Sequence, residues 1–341
     1  MLYFKSDYTE GAHPKLLAAL SESNLVSQPG YGDDCFSAAA REKIRRACAC
    51  PEADVYFLTG GTQTNLVVIS SLLQRWEGVL CAETGHIAVH EAGAIEFSGH
   101  KVLPLPSHEG KLRAEELDTW VESFYADATH EHQVFPGMVY LSHPTELGTL
   151  YSRAELTAIA EVCRHRGMPL FLDGARLGYA LAAEGSELSL TEIAALTDVF
   201  YIGGTKVGAL CGEAVVFPHG DMPAHFATLA KQQGAMLAKG RLLGVQFDAL
   251  FTDGLYFEIG REAVALAMRL KAAFREKGYP LYLDSPTNQQ FVILTPEQEA
   301  RLARFAAFKR WAPLPDGRVA VRFVTSWATT QEQVDALIAL L

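Results

Sequence analysis

Short apolar runs alternate with helix-length amphipathic segments between about residue 55 and residue 217. Each run is rich in Val, Leu, Ile and Phe and is bounded by turn-forming residues, which is typical of a buried strand. Repeated strand–helix units predict an α/β fold with a mainly parallel, doubly wound sheet and helices on both faces. The predicted strands cover 55–58, 79–81, 101–105, 138–142, 170–172, 199–202 and 214–217.

The predicted helices follow the same alternation. Ser152, with Glu155 three residues later, forms a capping-box pattern at the start of one of them. Residues 1–14 show no clear period and are predicted to form an arm. The predicted helices up to residue 197 cover 14–24, 37–49, 66–76, 86–97, 112–125, 152–167 and 191–197.

The pattern changes beyond about residue 245. Two long helical segments cover about 246–277, short strands follow near Leu281, near Phe291 and at 319–324, and a terminal helix covers 331–341. This change predicts two domains. Residues 1–245 would form an N-terminal arm with a large α/β domain, and residues 246–341 a small α+β domain.

Composition narrows the class of protein without changing this fold. The chain has 341 residues, of which 49% are apolar, and a net charge of -11, which argues against nucleic-acid binding. No apolar run is long enough for a membrane span, and the N-terminus lacks the pattern of a secretory signal. The six cysteines form no CxxC pair, so we expect reduced thiols and a cytoplasmic protein.

A glycine-rich turn, Thr59-Gly60-Gly61-Thr62-Gln63-Thr64-Asn65, precedes the predicted helix 66–76. Its glycines would let backbone N–H groups approach an anion, and the helix N-terminus adds the positive end of its dipole. Gly60, Gly61 and Thr62 are therefore candidates for binding a phosphate. The alternative is an ordinary strand–turn–helix corner, because the turn matches neither a Walker motif nor a spaced GxGxxG motif.

Asp173 ends the predicted strand 170–172, and Arg176 follows three residues later. A buried aspartate is costly unless it has a cation or hydrogen-bond donors as partners. A protonated pyridine nitrogen is one such partner, and a metal ion is another. Arg176 offers a bidentate fork suited to a carboxylate. The alternative is that Asp173 and Arg176 simply pair with each other.

His86 begins the predicted helix 86–97, in Glu83-Thr84-Gly85-His86. A helix N-terminus favours the neutral form of a histidine, which suits a base or a flat surface for stacking. His90 lies four residues later, but no further ligands complete a metal site, and none is predicted. The alternative for either histidine is an ordinary surface or core position.

Lys206 follows an apolar strand and two glycines, in Val199-Phe200-Tyr201-Ile202-Gly203-Gly204-Thr205-Lys206. This arrangement places an amine at the carboxyl edge of the sheet, where open α/β folds bind ligands. A lysine in a dry pocket can lose its charge and attack a carbonyl to form a Schiff base. Taken alone, Lys206 is more simply a strand-end lysine that points to solvent.

The four features fit one cofactor, pyridoxal 5′-phosphate (PLP). This cofactor needs an anion-binding loop for its phosphate, a carboxylate for its pyridinium nitrogen, a surface against its ring and a lysine for its aldehyde. The occurrence of all four in one chain is much less expected by chance than that of any one of them.

The chain resembles the low-specificity L-threonine aldolases of the β-eliminating-lyase group, within the aspartate-aminotransferase (fold type I) superfamily. The resemblance extends nearly end to end. It implies the PLP-dependent transferase fold, with a large domain built on a seven-stranded, mainly parallel sheet. The matching segments are Phe4-Lys5-Ser6-Asp7, Tyr31-Gly32-Asp33-Asp34, Gly61-Thr62-Gln63-Thr64-Asn65, Glu83-Thr84-Gly85-His86, Thr145-Glu146-Leu147-Gly148-Thr149, Asp173-Gly174-Ala175-Arg176, Gly203-Gly204-Thr205-Lys206 and Arg322-Phe323-Val324-Thr325-Ser326-Trp327.

The resemblance also implies roles for the matching residues. Lys206 would carry the Schiff base, Asp173 would bind the pyridinium nitrogen, and His86 would stack on the ring. Gly61 and Thr62 would hold the phosphate. Ser6, Arg176 and Arg322 would bind the substrate carboxylate. Arg176 is also expected to contact the cofactor.

A homodimer is implied as the smallest active unit, and a homotetramer is usual in the family. Arg241 matches a position that reaches the phosphate of the neighbouring subunit, and Tyr31 is expected at the same interface. The implied partners are otherwise limited to a small amino-acid substrate, with no nucleic acid and no membrane.

The implied activity is cleavage of L-threonine, L-allo-threonine and other β-hydroxy-α-amino acids to glycine and an aldehyde. Where many threonine aldolases carry Thr-His-Asn, this chain has Thr145-Glu146-Leu147, which changes the groups near the substrate hydroxyl. The candidate bases for the hydroxyl proton are His86, Glu146 and a water between them, and we expect His86 to act with a water.

Two alternatives stay open at this point. One is another reaction on the same cofactor, such as β-elimination, transamination or cleavage of a bulkier substrate of the phenylserine type. The other is a PLP-binding protein that has lost catalysis. The intact set of Ser6, Arg176 and Arg322 argues against the second, because such a protein does not need to hold a substrate carboxylate.

Overall fold

The computed structural model describes residues 1–341 and contains fourteen α-helices and thirteen strands. The helices are α1 (Pro14–Ser23), α2 (Cys35–Cys48), α3 (Gly61–Leu72), α4 (His86–Val89), α5 (Ala94–Phe97), α6 (Ala114–Ala126), α7 (Arg153–Arg166), α8 (Leu177–Ala182), α9 (Leu190–Leu196), α10 (Phe226–Gln232), α11 (Arg241–Leu250), α12 (Leu255–Glu276), α13 (Pro296–Leu302) and α14 (Gln331–Leu340). The strands are β1 (Leu2–Tyr3), β2 (Asp54–Leu58), β3 (Glu77–Ala82), β4 (Val102–Leu105), β5 (Phe135–Ser142), β6 (Leu170–Asp173), β7 (Val199–Gly203), β8 (Glu213–Phe217), β9 (Leu281–Leu283), β10 (Gln289–Leu294), β11 (Ala306–Ala307), β12 (Lys309–Pro313) and β13 (Val319–Val324).

Seven strands form the central sheet, in the order β2-β8-β7-β6-β5-β3-β4. Strand β8 is antiparallel to both of its neighbours, and the other pairs in this sheet are parallel. The predicted α/β fold with a mainly parallel sheet is therefore confirmed. The parallel strands place their carboxyl ends at one edge, where Ser142 of β5 lies beside Asp173 of β6.

Both faces of this sheet are buried, because successive side chains of a strand point to opposite faces. Leu170 and Leu172 belong to a core cluster of 46 buried residues, and Phe171 between them belongs to a second cluster of 20. This explains why the strands are continuous apolar runs and do not alternate with polar residues.

The C-terminal part forms an antiparallel sheet in the order β12-β13-β10-β9, with its own core of 13 buried residues. The arm contributes to this part, because β1 pairs in parallel with β11 and Phe4 is fully buried in the same core. The predicted division at residues 245 and 246 falls within α11 and stays a prediction.

One helix prediction is wrong. Residues 86–97 form two short helices, α4 and α5, and not one continuous helix. Ala92 and Gly93 between them have positive φ values of 52° and 73°, which a right-handed helix does not allow. The break lets the chain turn so that Glu91, just before it, is buried. Elsewhere, no helix combines the length and the apolar character that a membrane crossing requires.

Candidate active site

Asp173 is a buried carboxylate in a cavity of about 380 Å³ at the carboxyl edge of the large sheet. Its Oδ1 accepts hydrogen bonds from the Tyr201 hydroxyl (2.5 Å) and from a backbone amide (2.9 Å). Its Oδ2 accepts from the Tyr140 hydroxyl (2.5 Å) and from Nδ2 of Asn65 (3.1 Å). Burial raises the pKa of Asp173, but the charge of His86 and the tyrosine hydrogen bonds outweigh it and hold the pKa below its usual value.

Lys206 lies on the turn between β7 and β8 and lines the same cavity. Two glycines make this turn possible. A Cβ at Gly203 would overlap the carbonyl of Ala175, and one at Gly204 would lie 2.7 Å from the carbonyl oxygen of Gly212. The amine of Lys206 makes no hydrogen bond or ion pair within the chain. Burial and the charge of Arg176 lower its pKa, which favours the nucleophilic free amine.

His86 begins α4 and lines the same cavity, and its pKa shifts in a different direction from the one that the sequence suggests. Its Nδ1 lies 2.7 Å from Oε1 of Glu91, and that oxygen also accepts from Nδ2 of Asn65 at 2.7 Å. Burial lowers the pKa of His86, but the Glu91 hydrogen bond and the charges of Glu146 and Asp173 outweigh it. The pKa therefore lies above its usual value. This direction is opposite to the one expected from the helix N-terminus, because the Glu91 hydrogen bond and the nearby carboxylates favour the charged imidazole.

The N-terminus of α3 presents free backbone donors beside the cavity. Gly60 is the N-cap, and the amides of Gly61, Thr62 and Gln63 have no acceptor within the chain. Gly61 lines the cavity, and a Cβ at this position would lie 3.1 Å from the hydroxyl of Tyr201. The turn therefore opens toward the Asp173 network, as an anion-binding loop of this site would require.

Arg176 and Asp173 do not form the self-contained pair that the sequence left open. Arg176 instead forms a buried bidentate ion pair with Asp7 of the arm, with Nε–Oδ2 and Nη2–Oδ1 distances of 2.7 and 2.9 Å. Asp7 also accepts from Nδ2 of Asn288 at 3.0 Å. Ser6, next to Asp7, is buried, and its hydroxyl makes no hydrogen bond within the chain.

Arg322 on β13 is a second buried guanidinium in this region. Its Nη1 donates to Oε1 of Gln289 at 2.8 Å, but its buried Nε has no partner. Burial and the charge of Arg176 lower the pKa of Arg322 to about 10. Asp7 neutralises the charge of Arg176, whereas Arg322 has no carboxylate partner. A bound anion would therefore stabilise Arg322 more than Arg176.

The cavity also contains groups that the sequence did not single out. Tyr201, Thr205 and Glu213 contribute to its wall, and Asn65 and Tyr140 donate hydrogen bonds to Asp173. A signal for Tyr201 was present, since a hydroxyl within an apolar buried strand needs a partner. The lining residues are Gly61, His86, Glu146, Asp173, Ala175, Tyr201, Thr205, Lys206 and Glu213.

Arg241 and Tyr31 are not among the groups that line this cavity. Arg241 begins α11, donates to the carbonyl oxygens of Ser23 and Val26, and packs its guanidinium 4.9 Å from the ring of Phe36. Tyr31 is half exposed. Their expected roles at a subunit interface stay predictions.

A scan for known families matches residues 4–307 to the model described as beta-eliminating lyase. The chain belongs to the beta-eliminating lyase family. Within it, the chain is 31% identical to the low specificity L-threonine aldolase of Pseudomonas aeruginosa, over 98% of this chain and 95% of the relative. The corresponding enzyme of Escherichia coli K12 is 26% identical over 99% and 98% of the two chains.

Solved structures agree with this family assignment. The threonine aldolase of Leishmania major superposes with a TM-score of 0.96 at 40% identity, over 100% of this chain and 98% of that one. An aspartate aminotransferase of Thermus thermophilus superposes with a TM-score of 0.72 at 15% identity, over 100% and 90%, and this shows the shared fold. The fold implied by the resemblance is therefore confirmed.

Proposed function

We propose that the protein is a PLP-dependent aldolase that cleaves L-threonine, L-allo-threonine and related β-hydroxy-α-amino acids to glycine and an aldehyde. The observation that carries this proposal is the meeting of Lys206, Asp173 and the free amides of α3 around one cavity. The chain also matches proteins named as threonine aldolases over nearly its whole length.

The residues present fit PLP. An ionised Asp173 would hold a protonated ring nitrogen, the amides of Gly61 and Thr62 would bind the phosphate, and Lys206 would hold the aldehyde carbon. Bound PLP supplies an electron sink that accepts the electrons of the bond broken at the substrate Cα. Asp173 serves this chemistry because its four donors keep it ionised in a dry site.

The substrate carboxylate would bind at Arg322, whose Nε is buried without a partner. The hydroxyl of Ser6 and the remaining donor face of Arg176 would complete this site, and Asp7 fixes the guanidinium plane of Arg176. Holding the carboxylate on this side orients the Cα–Cβ bond for cleavage.

The hydroxyl proton of the substrate needs an acceptor in the cavity. His86 lines the cavity, but its Nδ1 is engaged by Glu91, and this hydrogen bond raises the pKa of the imidazole and so increases the share of the protonated form, which cannot accept a proton. Glu146 lines the same cavity, is half-buried and makes no hydrogen bond within the chain. These facts favour Glu146 as the proton acceptor, with His86 as a stacking and hydrogen-bonding group.

A Lys206→Ala variant tests the proposal. It should lose the visible band of bound PLP and fall below detection in glycine formation from L-threonine, L-allo-threonine and L-phenylserine. Lys101→Ala, which removes an exposed lysine away from the cavity, should retain both. Turnover that survives in Lys206→Ala would contradict the assignment.

The name of the matched family favours one second candidate, β-elimination on the same cofactor. Pyruvate and ammonia would then appear in place of glycine and an aldehyde, so one product assay separates the two reactions. We further propose a cytoplasmic homodimer or homotetramer, in which Arg241 and Tyr31 lie at the subunit interface and Arg241 reaches the phosphate of the neighbouring site.

A further inference from the structure

Glu213 is a buried carboxyl group in the cavity that the proposed reaction does not yet use. It begins β8, where it pairs with Gly203 of β7 on one side and Leu58 of β2 on the other. Only 3% of the residue is exposed, and its side chain lines the cavity together with Lys206 and Asp173. It therefore lies at the start of the strand that follows the lysine turn, in the same cavity as the amine.

The contacts of Glu213 leave its charge without a direct counter-ion. Its Oε2 accepts from the amide of Gly204 at 3.1 Å, and the nearby Thr205 acts to lower the pKa of the carboxyl. No lysine, arginine or histidine forms an ion pair with it. A buried carboxylate in this state is costly, so the group tends to hold a proton. Burial raises the pKa of Glu213 to about 8, although Thr205 and the charge of Lys206 act to lower it.

The pKa of the Lys206 amine is shifted in the opposite direction, downward. Burial and the charge of Arg176 lower its pKa, while Asp7, Glu146 and Asp173 raise it. The raised pKa of the acid and the lowered pKa of the amine bring the proton affinities of these two groups in one cavity closer together. The two groups then titrate as a coupled pair.

The other acids near Lys206 are less suited to exchange its proton. Asp173 accepts four hydrogen bonds, and Asp7 is held in the bidentate pair with Arg176. Glu91 is bonded to His86 and Asn65. Glu146 has no such contacts, but it is proposed above as the acceptor of the substrate hydroxyl proton.

We propose that Glu213 is the proton partner of Lys206. The carboxylate accepts one proton from the ammonium group, which leaves a neutral amine and a carboxylic acid, and it returns that proton when the amine is released from a carbonyl. The exchange conserves charge within the cavity, and because the groups are not in direct contact, a water between them would carry the proton. The role of Lys206 as the amine that binds a carbonyl rests on the proposed function. The proton exchange between Lys206 and Glu213 does not.

The test follows the protonation of Lys206 in the full chain. In the apoprotein, reductive methylation with ¹³C-formaldehyde places an NMR reporter on the amine, and the Lys206 signal is the one absent from Lys206→Arg. In the protein loaded with PLP, the pH dependence of the visible band reports on the same nitrogen. We expect a two-step titration of the Lys206 signal in the natural protein, because the pair is coupled.

In Glu213→Gln the titration of Lys206 should become a single step, with its midpoint lowered by about one pH unit, because the negative charge that favours the ammonium form is gone. The visible band should shift in the same direction. Glu91→Gln, a matched change at another buried glutamate of the site, should leave the two steps of Lys206 in place. Glu213→Asp keeps the carboxyl and should retain two steps, and it serves as the second variant if Glu213→Gln does not fold.

A Lys206 titration that is identical in the natural protein and in Glu213→Gln would overturn the proposal. Loss of the two steps in Glu91→Gln as well would also overturn it, since the effect would then not be specific to Glu213. The NMR readout requires neither PLP nor turnover. Failure of the aldolase assignment, seen as turnover that persists in Lys206→Ala, is therefore a separate result.

Discussion

At the scale of single residues, Asp7 connects the arm to the active site through the guanidinium of Arg176. Both groups are buried, and the pair is bidentate. In Asp7→Asn the charge of Arg176 would stay buried without its partner, so we expect a loss of about 3 kcal/mol or more in the free energy of unfolding. Urea unfolding at pH 7 measures this loss. Asp335→Asn, which breaks the exposed pair with Arg269, should cost less than about 1 kcal/mol.

The same ion pair predicts a pH dependence on the acid side. Burial raises the pKa of Asp7, but Arg176 and Lys206 outweigh it, so the pKa in the folded protein lies below the usual value near 3.8. The stabilisation is therefore complete above that value and is lost as the pH falls through the lower, folded-state pKa. Asp7→Asn should remove this part of the acid dependence. Equal acid sensitivity in both proteins would contradict the role of the pair.

The functional side chains at strand ends could be predicted from the sequence, but the residues that form hydrogen bonds and ion pairs around the site could not. Lys206 and Asp173 were predictable because each follows an apolar strand, and the carboxyl ends of parallel strands share one edge. The Asp7–Arg176 pair was not, because its members are 169 residues apart and nothing local signals their contact. His86 was expected in the cavity and lines it, but the direction of its pKa shift was not predictable, since the buried Glu91 carboxylate beside it depends on a helix break that the periodicity did not show.

At the scale of elements, a capping box begins α7, the helix that precedes the strand carrying Asp173. The hydroxyl of Ser152 accepts from the amide of Glu155, and the carboxylate of Glu155 accepts from the amide of Ser152, as predicted from the sequence. Ser152→Ala should reduce the free energy of unfolding by about 1 kcal/mol, because an N-terminal amide loses its acceptor. Thermal or urea unfolding measures this change.

A matched change within a helix isolates the effect of the cap. Ser71 lies in α3, and its hydroxyl only donates to the carbonyl of Val68, at 2.8 Å, in the same helix. Ser71→Ala should therefore alter the free energy of unfolding by no more than about 0.5 kcal/mol. If both variants lost the same amount, a general effect of removing serine hydroxyls would explain the data, and not the cap.

Elements also show where tertiary contacts decided the local structure. The alternation of strands and helices could be predicted up to β8, because both faces of the sheet are covered and each strand is an apolar run. The pairing of β1 with β11 could not, since these strands of two residues each have no pattern of their own. Their position depends on the burial of Phe4 in the core of the smaller sheet.

At the scale of the whole molecule, Arg241 holds a surface segment that carries large exposed apolar side chains. Its guanidinium donates to the carbonyl oxygens of Ser23 and Val26. The segment 23–31 exposes 92% of Leu25 and 52% of Tyr31, which is unusual unless a second copy of the chain covers these side chains. This exposure is consistent with the proposed homo-oligomer, and we propose the segment as part of its interface.

Arg241→Ala tests this interface because it releases the segment 23–31 without changing the core. We expect weaker association, with a larger share of monomer at low protein concentration in light scattering, and weaker PLP binding where the neighbouring Arg241 is missing from the phosphate site. Arg241→Lys keeps the charge but lacks the forked donors for two carbonyl oxygens, so it should be intermediate. Arg304→Ala, at an exposed arginine beside Phe305, should leave the mass unchanged. If Arg241→Ala kept the full oligomer mass and PLP affinity and only lost stability, Arg241 would act within its own chain, and the interface would have to lie elsewhere.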